Sequence, residues 1–418
     1  MTVMEVINSF RNEKCPCGKV HETAVRDVRI GSGLVHKVGS ILQGNGFSKN
    51  ILLVADKDTL KAAEGIVESL EGFNVEFKVY DRIRVAKMSH VDELCDMIRG
   101  RDISILSVGT GSVNDPCRLA AAREDKLLCI FGTAPSMDGF ASYSSPIVDG
   151  YFKFSYSAKS PEVIVADTAI LAKAPVELKA AGFGDMIAKY VGLVDWQISA
   201  LLSGEYYCDK IAALTRDGVD TLMGMADRVK VDDEETAGKI FESLLKTGLG
   251  MSFAQNSRPA SGAEHVIAHL IECFELMEDK EPNFHGEDVG VCTLAMLKYY
   301  NELASHESIK AKREELDWDA IYETFGEMAD DIRAQNTPTT VTDGVDPAYL
   351  EECWPKIREI IRSVPSYGEC LEIMKRAGCK TTLEEIGKSE ELFNKCVRYS
   401  PFMRRRLTLL RLQDMIEV

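Results

Sequence analysis

The run Ile103-Ser104-Ile105-Leu106-Ser107-Val108, followed at once by Gly109-Thr110-Gly111, decides the fold of this chain. A short β-branched apolar run predicts a buried strand, and the glycines after it predict a tight strand-to-helix turn. Glycines let the backbone approach a pyrophosphate, and the free N–H groups of the next helix attract its charge. The stretch from Gly109 to Asp115 therefore predicts a dinucleotide site, although such a turn can also be only a turn.

The sequence around this turn predicts a parallel sheet. Further strands are predicted at residues 50–55, 74–80 and 127–131, with amphipathic helices at 58–70 and 91–98. Strands and helices that alternate at this spacing are typical of parallel sheets with crossover helices. We therefore expect an α/β dinucleotide-binding domain over residues 1–175, of which residues 1–27 form an N-terminal extension.

The second half of the chain has helical periodicity. After Pro175, apolar residues recur with the 3.6-residue period of α-helices. The predicted helices span residues 177–202, 219–228, 234–249, 263–277, 289–303 and 385–412. We therefore expect an all-α second domain over residues 176–418.

Composition limits the functions that are open to the protein. The formal net charge of −17 disfavours nucleic acid as a partner, whereas a few local cations could still bind a small anion. The twelve cysteines are scattered, and neither a secretory signal nor an apolar run of about 18 residues is present. We expect a cytoplasmic protein with reduced thiols and no membrane segment.

Three of the seven histidines cluster at His265, His269 and His285, and Asp185 lies upstream in a glycine turn. One carboxylate with two imidazoles can hold a divalent ion and leave one position open for substrate. A single histidine is more often simply buried, and spacing alone leaves both interpretations open. Lys189 lies one helical turn after Asp185, on the same face.

Other polar residues follow predicted strands, where ligands of α/β proteins bind. Asp56 could bind a ribose hydroxyl, which would favour NAD over NADP, or it could only cap a helix. Thr133, Ser136 and Asp138 follow the strand at 127–131, and Asp138 is a candidate for orienting substrate or nicotinamide.

Three short motifs have two interpretations each. The loop Ser257-Arg258-Pro259-Ala260-Ser261-Gly262 could hold a phosphate or a carboxylate, or could only cap helices. The segment Cys15-Pro16-Cys17-Gly18-Lys19-Val20-His21 offers three soft ligands, and a closed zinc site would need a distant fourth. The run Arg404-Arg405-Arg406 is interpreted as a helix face that is solvated or packed against acidic surface.

Together these motifs resemble the sn-glycerol-1-phosphate dehydrogenases, which belong to the superfamily of glycerol dehydrogenase, dehydroquinate synthase and iron-containing alcohol dehydrogenase. The stretches that carry the resemblance are 133–139, 181–189, 257–265 and 285–287. It implies a dehydroquinate synthase-like fold, a cofactor that is NAD or NADP, and one zinc or nickel ion held by Asp185, His265 and His285. It also implies that His269 lies near the metal, that Asp138 and Lys159 lie near the nicotinamide and substrate, and that the cofactor pyrophosphate lies on Gly109, Thr110, Gly111, Ser112 and Asp115.

Some residues depart from the patterns of related families. Iron-dependent alcohol dehydrogenases have a histidine one turn after the aspartate, and here that residue is Lys189. Dehydroquinate synthases have glutamate where this chain has Asp185. The triplet Gly109-Thr110-Gly111 departs mildly from the usual glycine turn, and Cys15, Cys17 and His21 lie outside the resemblance.

The resemblance predicts an enzyme that reduces dihydroxyacetone phosphate to sn-glycerol 1-phosphate. His269, or a water relayed through it, would supply the proton, and Lys189, Lys159 and Arg258 are the candidates for binding the substrate phosphate. The alternatives are a dehydroquinate synthase-like cyclase, a glycerol dehydrogenase, and an inactive metal-binding scaffold. A homodimer is the expected assembly.

Overall fold

The glycine turn at residues 109–111 lies at the carboxyl edge of a six-stranded parallel sheet. The computed structural model describes the backbone of residues 1–418 and every side chain except that of Asn12. The strands are β1 (Asp27–Gly31), β2 (Asn50–Asp56), β3 (Asn74–Tyr80), β4 (Ser104–Gly109), β5 (Leu128–Gly132), β6 (Ser144–Asp149), β7 (Phe152–Ser157) and β8 (Val163–Asp167). The strand order in the sheet is β1-β8-β5-β4-β2-β3, and β6 and β7 form a separate antiparallel hairpin.

The centre of this sheet is buried on both faces. Every residue of β4, β5 and β8 is buried, as expected for parallel strands covered by helices. Register aligns Ala55 with Val108 and Gly109 with Gly132, so the carboxyl ends of β2, β4 and β5 meet at one edge. The helices of this part are α1 (Val3–Asn12), α2 (Val38–Gly44), α3 (Lys57–Ala62), α4 (Ile66–Ser69), α5 (Met88–Ile98) and α6 (Gly111–Arg123).

The rest of the chain is mostly helical and contains one small antiparallel pair, β9 (Lys310–Ala311) and β10 (Ile416–Glu417). No helix in the described chain has both the length and the apolarity needed to cross a membrane. The helices are α7 (Thr168–Ala172), α8 (Val176–Ile187), α9 (Lys189–Ser203), α10 (Asp209–Met223), α11 (Glu234–Ala254), α12 (Ala263–Met277), α13 (His285–Ser305), α14 (Trp318–Phe325), α15 (Ala329–Asn336), α16 (Pro347–Arg362), α17 (Tyr367–Ala377) and α18 (Glu390–Tyr399).

The expected fold class is confirmed, because a parallel sheet is followed by a helical half. Four predicted helices differ in the structure. The one at 177–202 is divided at Ala188 into α8 and α9, and only residues 219–223 of the one at 219–228 are α-helical, at the end of α10. The helix predicted at 58–70 is divided into α3 and α4, because Gly65 adopts a positive φ of 94°. The helix predicted at 385–412 is wrong: only α18 forms, and Pro401 follows its end, where a proline cannot continue the hydrogen-bonded ladder.

Candidate active site

Asp185, His265 and His285 come together at the junction of three helices. Asp185 lies in α8, His265 in α12, and His285 is the first residue of α13. Each side chain offers one ligand atom, and these atoms lie within 4.8 Å of one another. Asp185 and His265 are buried, and His285 is partly exposed.

Two glycines make this junction possible. A Cβ at Gly286 would lie 1.9 Å from the carbonyl oxygen of Ala181, and one at Gly182 would lie 1.8 Å from that of Pro135. Only glycine allows backbones to approach so closely. The glycines around Asp185 therefore let α8 contact both the start of α13 and the loop that carries Asp138.

The histidines present the chemistry that a divalent ion requires. The Nδ1 atom of His265 lies 2.6 Å from Oε1 of Glu264, and its Nε2 atom faces Oδ1 of Asp185 at 3.4 Å. A carboxylate behind a ligating imidazole fixes its tautomer and raises its basicity. Burial lowers the pKa of His285 to about 3, so its ring is neutral and keeps a lone pair. This donor set fits a divalent ion that retains an open coordination position.

Lys189 lies between two carboxylates. Its Nζ atom lies 2.6 Å from Oδ2 of Asp138 and 2.7 Å from Oδ1 of Asp185, and it donates to the carbonyl of Ala260. Burial alone would lower the pKa of Lys189, but the two carboxylates raise it, so the ammonium ion is retained. The predicted contact between Lys189 and the substrate phosphate is not supported, because this side chain is fully buried and its donors are used within the protein.

A cavity of about 250 Å³ opens beside the three candidate ligands. His269 and Asp138 lie in its wall. Burial and nearby cations hold the pKa of His269 well below its ordinary value, so its ring is neutral. Asp115 also lines this cavity and pairs with Arg118 at 2.5 Å, whereas it was expected at the pyrophosphate. The size of the cavity suits a small metabolite better than a drug-sized ligand.

The arginines that line this cavity are not the one that was predicted to bind the substrate phosphate. Arg258 does not line the cavity, because its guanidinium donates to Glu205, to Ser199 and to the carbonyl of Leu407. Arg404 and Arg406 line it instead. The interpretation of residues 404–406 as a helix face was wrong, because this segment follows α18 and is not helical.

Arg404 and Arg406 donate to neutral groups only. Arg406 donates to the carbonyl and hydroxyl of Ser261, at 2.6 and 3.0 Å, and to the hydroxyl of Ser257. Arg404 donates to the carbonyl of Lys153. Among the described side chains, neither guanidinium has a carboxylate partner. Burial and the charges of Arg258 and Arg404 lower the pKa of Arg406, so an anion beside it would be favourable.

A second cavity of about 930 Å³ extends along the carboxyl edge of the sheet. It shares Gly111, Ser112, Met137 and His285 with the first cavity, so the two adjoin. Besides Gly111 and Ser112, five of the expected cofactor residues line it or border it: Asp56, Thr110, Thr133 and Ser136 lie in its wall, and Gly109 ends β4 directly before it.

The position of Asp56 is compatible with both roles that the sequence left open, a helix cap and a ligand of a ribose hydroxyl. Its Oδ1 atom accepts from the backbone N–H of Thr59 at 2.8 Å, so it caps α3. The same side chain lines the second cavity.

Lys159 lies away from both cavities. Its Nζ atom pairs with Oε1 of Glu162 at 3.0 Å, and the other oxygen of Glu162 accepts from the backbone N–H of Leu128. Leu128 begins β5, so Lys159 lies at the amino edge of the sheet, opposite the cofactor turn. The expected position of Lys159 near the nicotinamide was therefore wrong.

Comparisons with known proteins agree with this architecture. Residues 29–175 match the family model described as iron-containing alcohol dehydrogenase. Among solved structures, NADH-dependent butanol dehydrogenase A of Thermotoga maritima is similar, with a TM-score of 0.62 and 17% identity over 94% of this chain and 92% of that one. A probable glycerol dehydrogenase of Sinorhizobium meliloti has a TM-score of 0.61 and 17% identity over 90% and 89% of the two chains. At these identities the structures establish the fold alone.

Curated relatives are more similar in sequence. An NAD(P)+-dependent glycerol-1-phosphate dehydrogenase of Methanothermobacter thermautotrophicus is 31% identical over 341 residues, which cover 81% of this chain and 90% of the relative. The enzyme of that name from Bacillus licheniformis is 28% identical over 95% of this chain and 91% of its own length. By this similarity the chain belongs to the family of NAD(P)-dependent glycerol-1-phosphate dehydrogenases, oxidoreductases with the fold of the iron-containing alcohol dehydrogenases.

Proposed function

We propose that this protein catalyses the reversible NAD(P)H-linked reduction of dihydroxyacetone phosphate to sn-glycerol 1-phosphate. The observation that carries the proposal is one cavity whose wall contains His265 and His285, two members of the cluster with Asp185, together with two arginines that have no carboxylate partner among the described side chains. A divalent ion held by the cluster could bind the carbonyl oxygen of the substrate, and the two arginines could bind its phosphate.

The metal would be held by Asp185, His265 and His285. When bound, a divalent ion with an open position polarises a carbonyl oxygen as a Lewis acid. Lys189 takes the position where iron-dependent relatives have a further histidine, and its ammonium ion restricts the donor set to three residues. Zinc and nickel both accept a carboxylate with two imidazoles, and we propose that one of them is the native ion.

The dinucleotide would lie in the second cavity. The backbone N–H groups of Gly111 and Ser112, at the start of the thirteen-residue helix α6, would bind the pyrophosphate. Asp56 accepts a hydrogen bond from a ribose hydroxyl while it caps α3. The reduced nicotinamide supplies the hydride.

The substrate phosphate would be bound by Arg404 and Arg406. Their guanidinium groups are held by Ser257, Ser261 and Lys153, so they are oriented before the anion arrives. A planar guanidinium matches a phosphate with two parallel hydrogen bonds.

Two further residues act on the substrate itself. His269 is neutral, so its ring can relay a proton: one ring nitrogen takes a proton from solvent while the N–H of the other donates its proton to the oxygen that becomes the new hydroxyl. Asp138 accepts a hydrogen bond from the substrate hydroxymethyl group, and Lys189 keeps its carboxylate in position.

The larger organisation is part of the same proposal. We assign cofactor binding to residues 1–175 and the metal ligands to residues 176–418. We expect a homodimer that works in the cytoplasm and supplies a glycerol phosphate for phospholipid synthesis. Light scattering after size exclusion would measure the mass in solution.

The configuration of the product tests the proposal. The protein, loaded with zinc or with nickel, is incubated with dihydroxyacetone phosphate and either NADH or NADPH. The product is then offered to a dehydrogenase specific for sn-glycerol 3-phosphate. We expect a glycerol phosphate that this second enzyme does not oxidise. A product that it oxidises would contradict the proposed stereochemistry.

A further inference from the structure

A second cluster of metal-binding side chains lies apart from the active site. The structure brings Cys208, at the start of α10, to the segment that holds Cys15, Cys17 and His21. The four ligand atoms lie within 4.8 Å of one another. Cys15, His21 and Cys208 are buried, and Cys17 is partly exposed. The fourth ligand is thus supplied 187 residues after His21.

The distances within this cluster match a tetrahedron. The Sγ atoms of Cys15 and Cys208 lie 3.5 Å apart, and Nε2 of His21 lies 3.3 Å from Sγ of Cys17 and 3.7 Å from Sγ of Cys208. Zinc bonds of ~2.3 Å to sulfur and ~2.0 Å to nitrogen separate two sulfurs by about 3.8 Å, and a sulfur from a nitrogen by about 3.5 Å. The side chains are therefore spaced to surround one ion.

The histidine is oriented by a second hydrogen bond. Its Nδ1 atom lies 2.9 Å from the carbonyl oxygen of Phe253. A carbonyl only accepts hydrogen bonds, so Nδ1 carries the proton and Nε2 keeps its lone pair toward the three sulfurs. This arrangement is the usual support of a histidine that binds a metal.

A backbone turn and two neighbouring side chains also favour metal binding at this cluster. The N–H of Gly18 donates to the carbonyl of Cys15, and Gly18 has a positive φ of 82°, so the backbone turns between Cys15 and Cys17. The hydroxyl of Tyr206 lies 3.4 Å from Sγ of Cys17, where it can donate to a thiolate. Lys19, whose Nζ atom lies 3.5 Å from the centre of the Tyr206 ring, partly offsets the negative charge.

We propose that Cys15, Cys17, His21 and Cys208 bind one structural zinc ion that fastens the N-terminal segment to the start of α10. Three thiolates and one imidazole complete four-coordination, so this site has no open position for a substrate. Its ligands join residues that are far apart in sequence, and the binding energy of the ion therefore stabilises the folded state. The site is independent of the proposed catalytic reaction.

The neighbouring contacts indicate what the ion would stabilise. The ring of Phe10, in α1, stacks on Phe253 at 4.3 Å and meets His21 edge-on at 5.5 Å. Lys210, in α10, pairs with Glu13 and donates to the carbonyl of Ser9. Helix α1 therefore packs around the cluster, and loss of the ion should loosen α1 first.

Cobalt substitution of the full-length protein tests the proposal. Thiolates bound to tetrahedral cobalt give charge-transfer bands, whereas a site of one carboxylate and two imidazoles gives none. We expect these bands in the wild-type protein and in His265→Ala. We expect Cys17→Ser and Cys208→Ala to lack them and to hold one zinc ion per chain fewer by elemental analysis.

The matched control is Cys353→Ser, in α16, which should keep both the bands and the zinc. Cys17 is partly exposed, so Cys17→Ser carries the smallest risk of misfolding. Wild-type protein without the bands would overturn the proposal, and that measurement needs no variant. A Cys15–Cys208 disulfide found in the reduced-buffer preparation by peptide mapping would also overturn it.

Discussion

At the scale of single residues, the candidate active site contains buried ion pairs and, beside them, arginines that have no carboxylate partner among the described side chains. The positive charge of Lys189 partly neutralises the carboxylates of Asp138 and Asp185. The three groups together carry one net negative charge, and they lie beside two imidazoles. Arg404 and Arg406 carry positive charge in the same cavity. The site is thus locally suited to an anion, although the whole chain has a net charge of −17.

Replacing Arg406 by methionine should weaken binding of the phosphorylated substrate. Loss of a charge-assisted hydrogen bond costs about 1.5 to 3 kcal/mol, which corresponds to a decrease in kcat/KM of roughly ten- to a hundredfold. Steady-state kinetics with dihydroxyacetone phosphate measure this change. The matched control is Arg405→Met, because the exposed guanidinium of Arg405 binds Thr339 and does not line the cavity. Equal losses in the two variants would contradict the assignment.

Replacing Asp56 by asparagine should change the preference for the cofactor. Asparagine caps a helix as well as aspartate does, so the variant removes the charge and keeps α3 intact. A carboxylate repels the 2′-phosphate of NADP, and its loss should raise the ratio of NADPH to NADH efficiency by roughly tenfold. Kinetics with both cofactors test this, and the melting temperature serves as the control. An unchanged ratio would indicate that Asp56 is only a cap.

The buried carboxyl of Asp288 should make stability depend on pH. Burial raises its pKa to about 7. The folded protein therefore holds this proton between about pH 4 and pH 7, where the unfolded chain releases it, so the free energy of unfolding falls as pH rises through that window.

Asp288→Asn removes this titration, and the amide can still accept from Asn283. The wild-type protein should lose roughly 2 to 3 kcal/mol more than the variant between about pH 5 and about pH 8. Urea unfolding at the two pH values measures the difference. Asp102→Asn, at an exposed position, is the control and should follow the wild type. If Asp288→Asn also follows the wild type, the carboxyl is ionised in the folded protein.

At the scale of elements, the position of α8 determines the site. It carries Asp185, and its glycines let it contact both the start of α13 and the loop after β5. The backbone N–H of Asp138, in that loop, donates to Oδ2 of Asp185 at 2.9 Å. One helix therefore links the sheet edge to the histidines.

Replacing Gly286 by alanine should separate α8 from α13. The added Cβ would lie 1.9 Å from the carbonyl oxygen of Ala181, so one helix must move. Overpacking of this kind costs about 1 to 3 kcal/mol, and we expect loss of bound metal and of most activity as Asp185 and His285 move apart. Elemental analysis and melting temperature measure both effects. Gly368→Ala, in α17, has open space for its Cβ and should change neither. Retention of metal by Gly286→Ala would contradict this account.

The strands were predictable from sequence because buried parallel strands are continuous apolar runs between turns. The residues at 74–80 form β3 with the predicted bounds, and 50–55 and 127–131 differ from β2 and β5 by one residue. Helical periodicity predicted the ends and divisions of the helices less accurately. It extended through Pro401, where the helix cannot continue, and it missed the division at Gly65. Strands β1 and β8 of the main sheet and the hairpin of β6 and β7 were also missed.

The candidate site was predictable in part. Scarce histidines near one another and the glycines around Asp185 indicated the cluster, and the resemblance assigned its members. The arginines that we propose for the phosphate were not predictable, because residues 404–406 reach the cavity through tertiary packing. Arg258 was the more obvious candidate, but Glu205 binds its guanidinium. No sequence pattern distinguished Arg406 from Arg405.

At the scale of the whole molecule, two cavities adjoin where the sheet edge faces the helical half. The larger one follows the carboxyl ends of β2, β4 and β5, and the smaller one contains the histidines and the arginines. The shared residues Gly111, Ser112, Met137 and His285 mark where a nicotinamide would meet a carbonyl group. Two substrates held in adjoining cavities can react without a diffusional encounter.

The central claim is that this protein uses its metal and its arginines to reduce a phosphorylated ketone. The most direct test measures NADH and NADPH oxidation by the metal-loaded protein with dihydroxyacetone phosphate and with dihydroxyacetone. We predict stoichiometric, metal-dependent oxidation with dihydroxyacetone phosphate, little with dihydroxyacetone, and none by Asp185→Ala. Equal rates with both ketones, or no net oxidation by protein that holds metal and cofactor, would contradict the account.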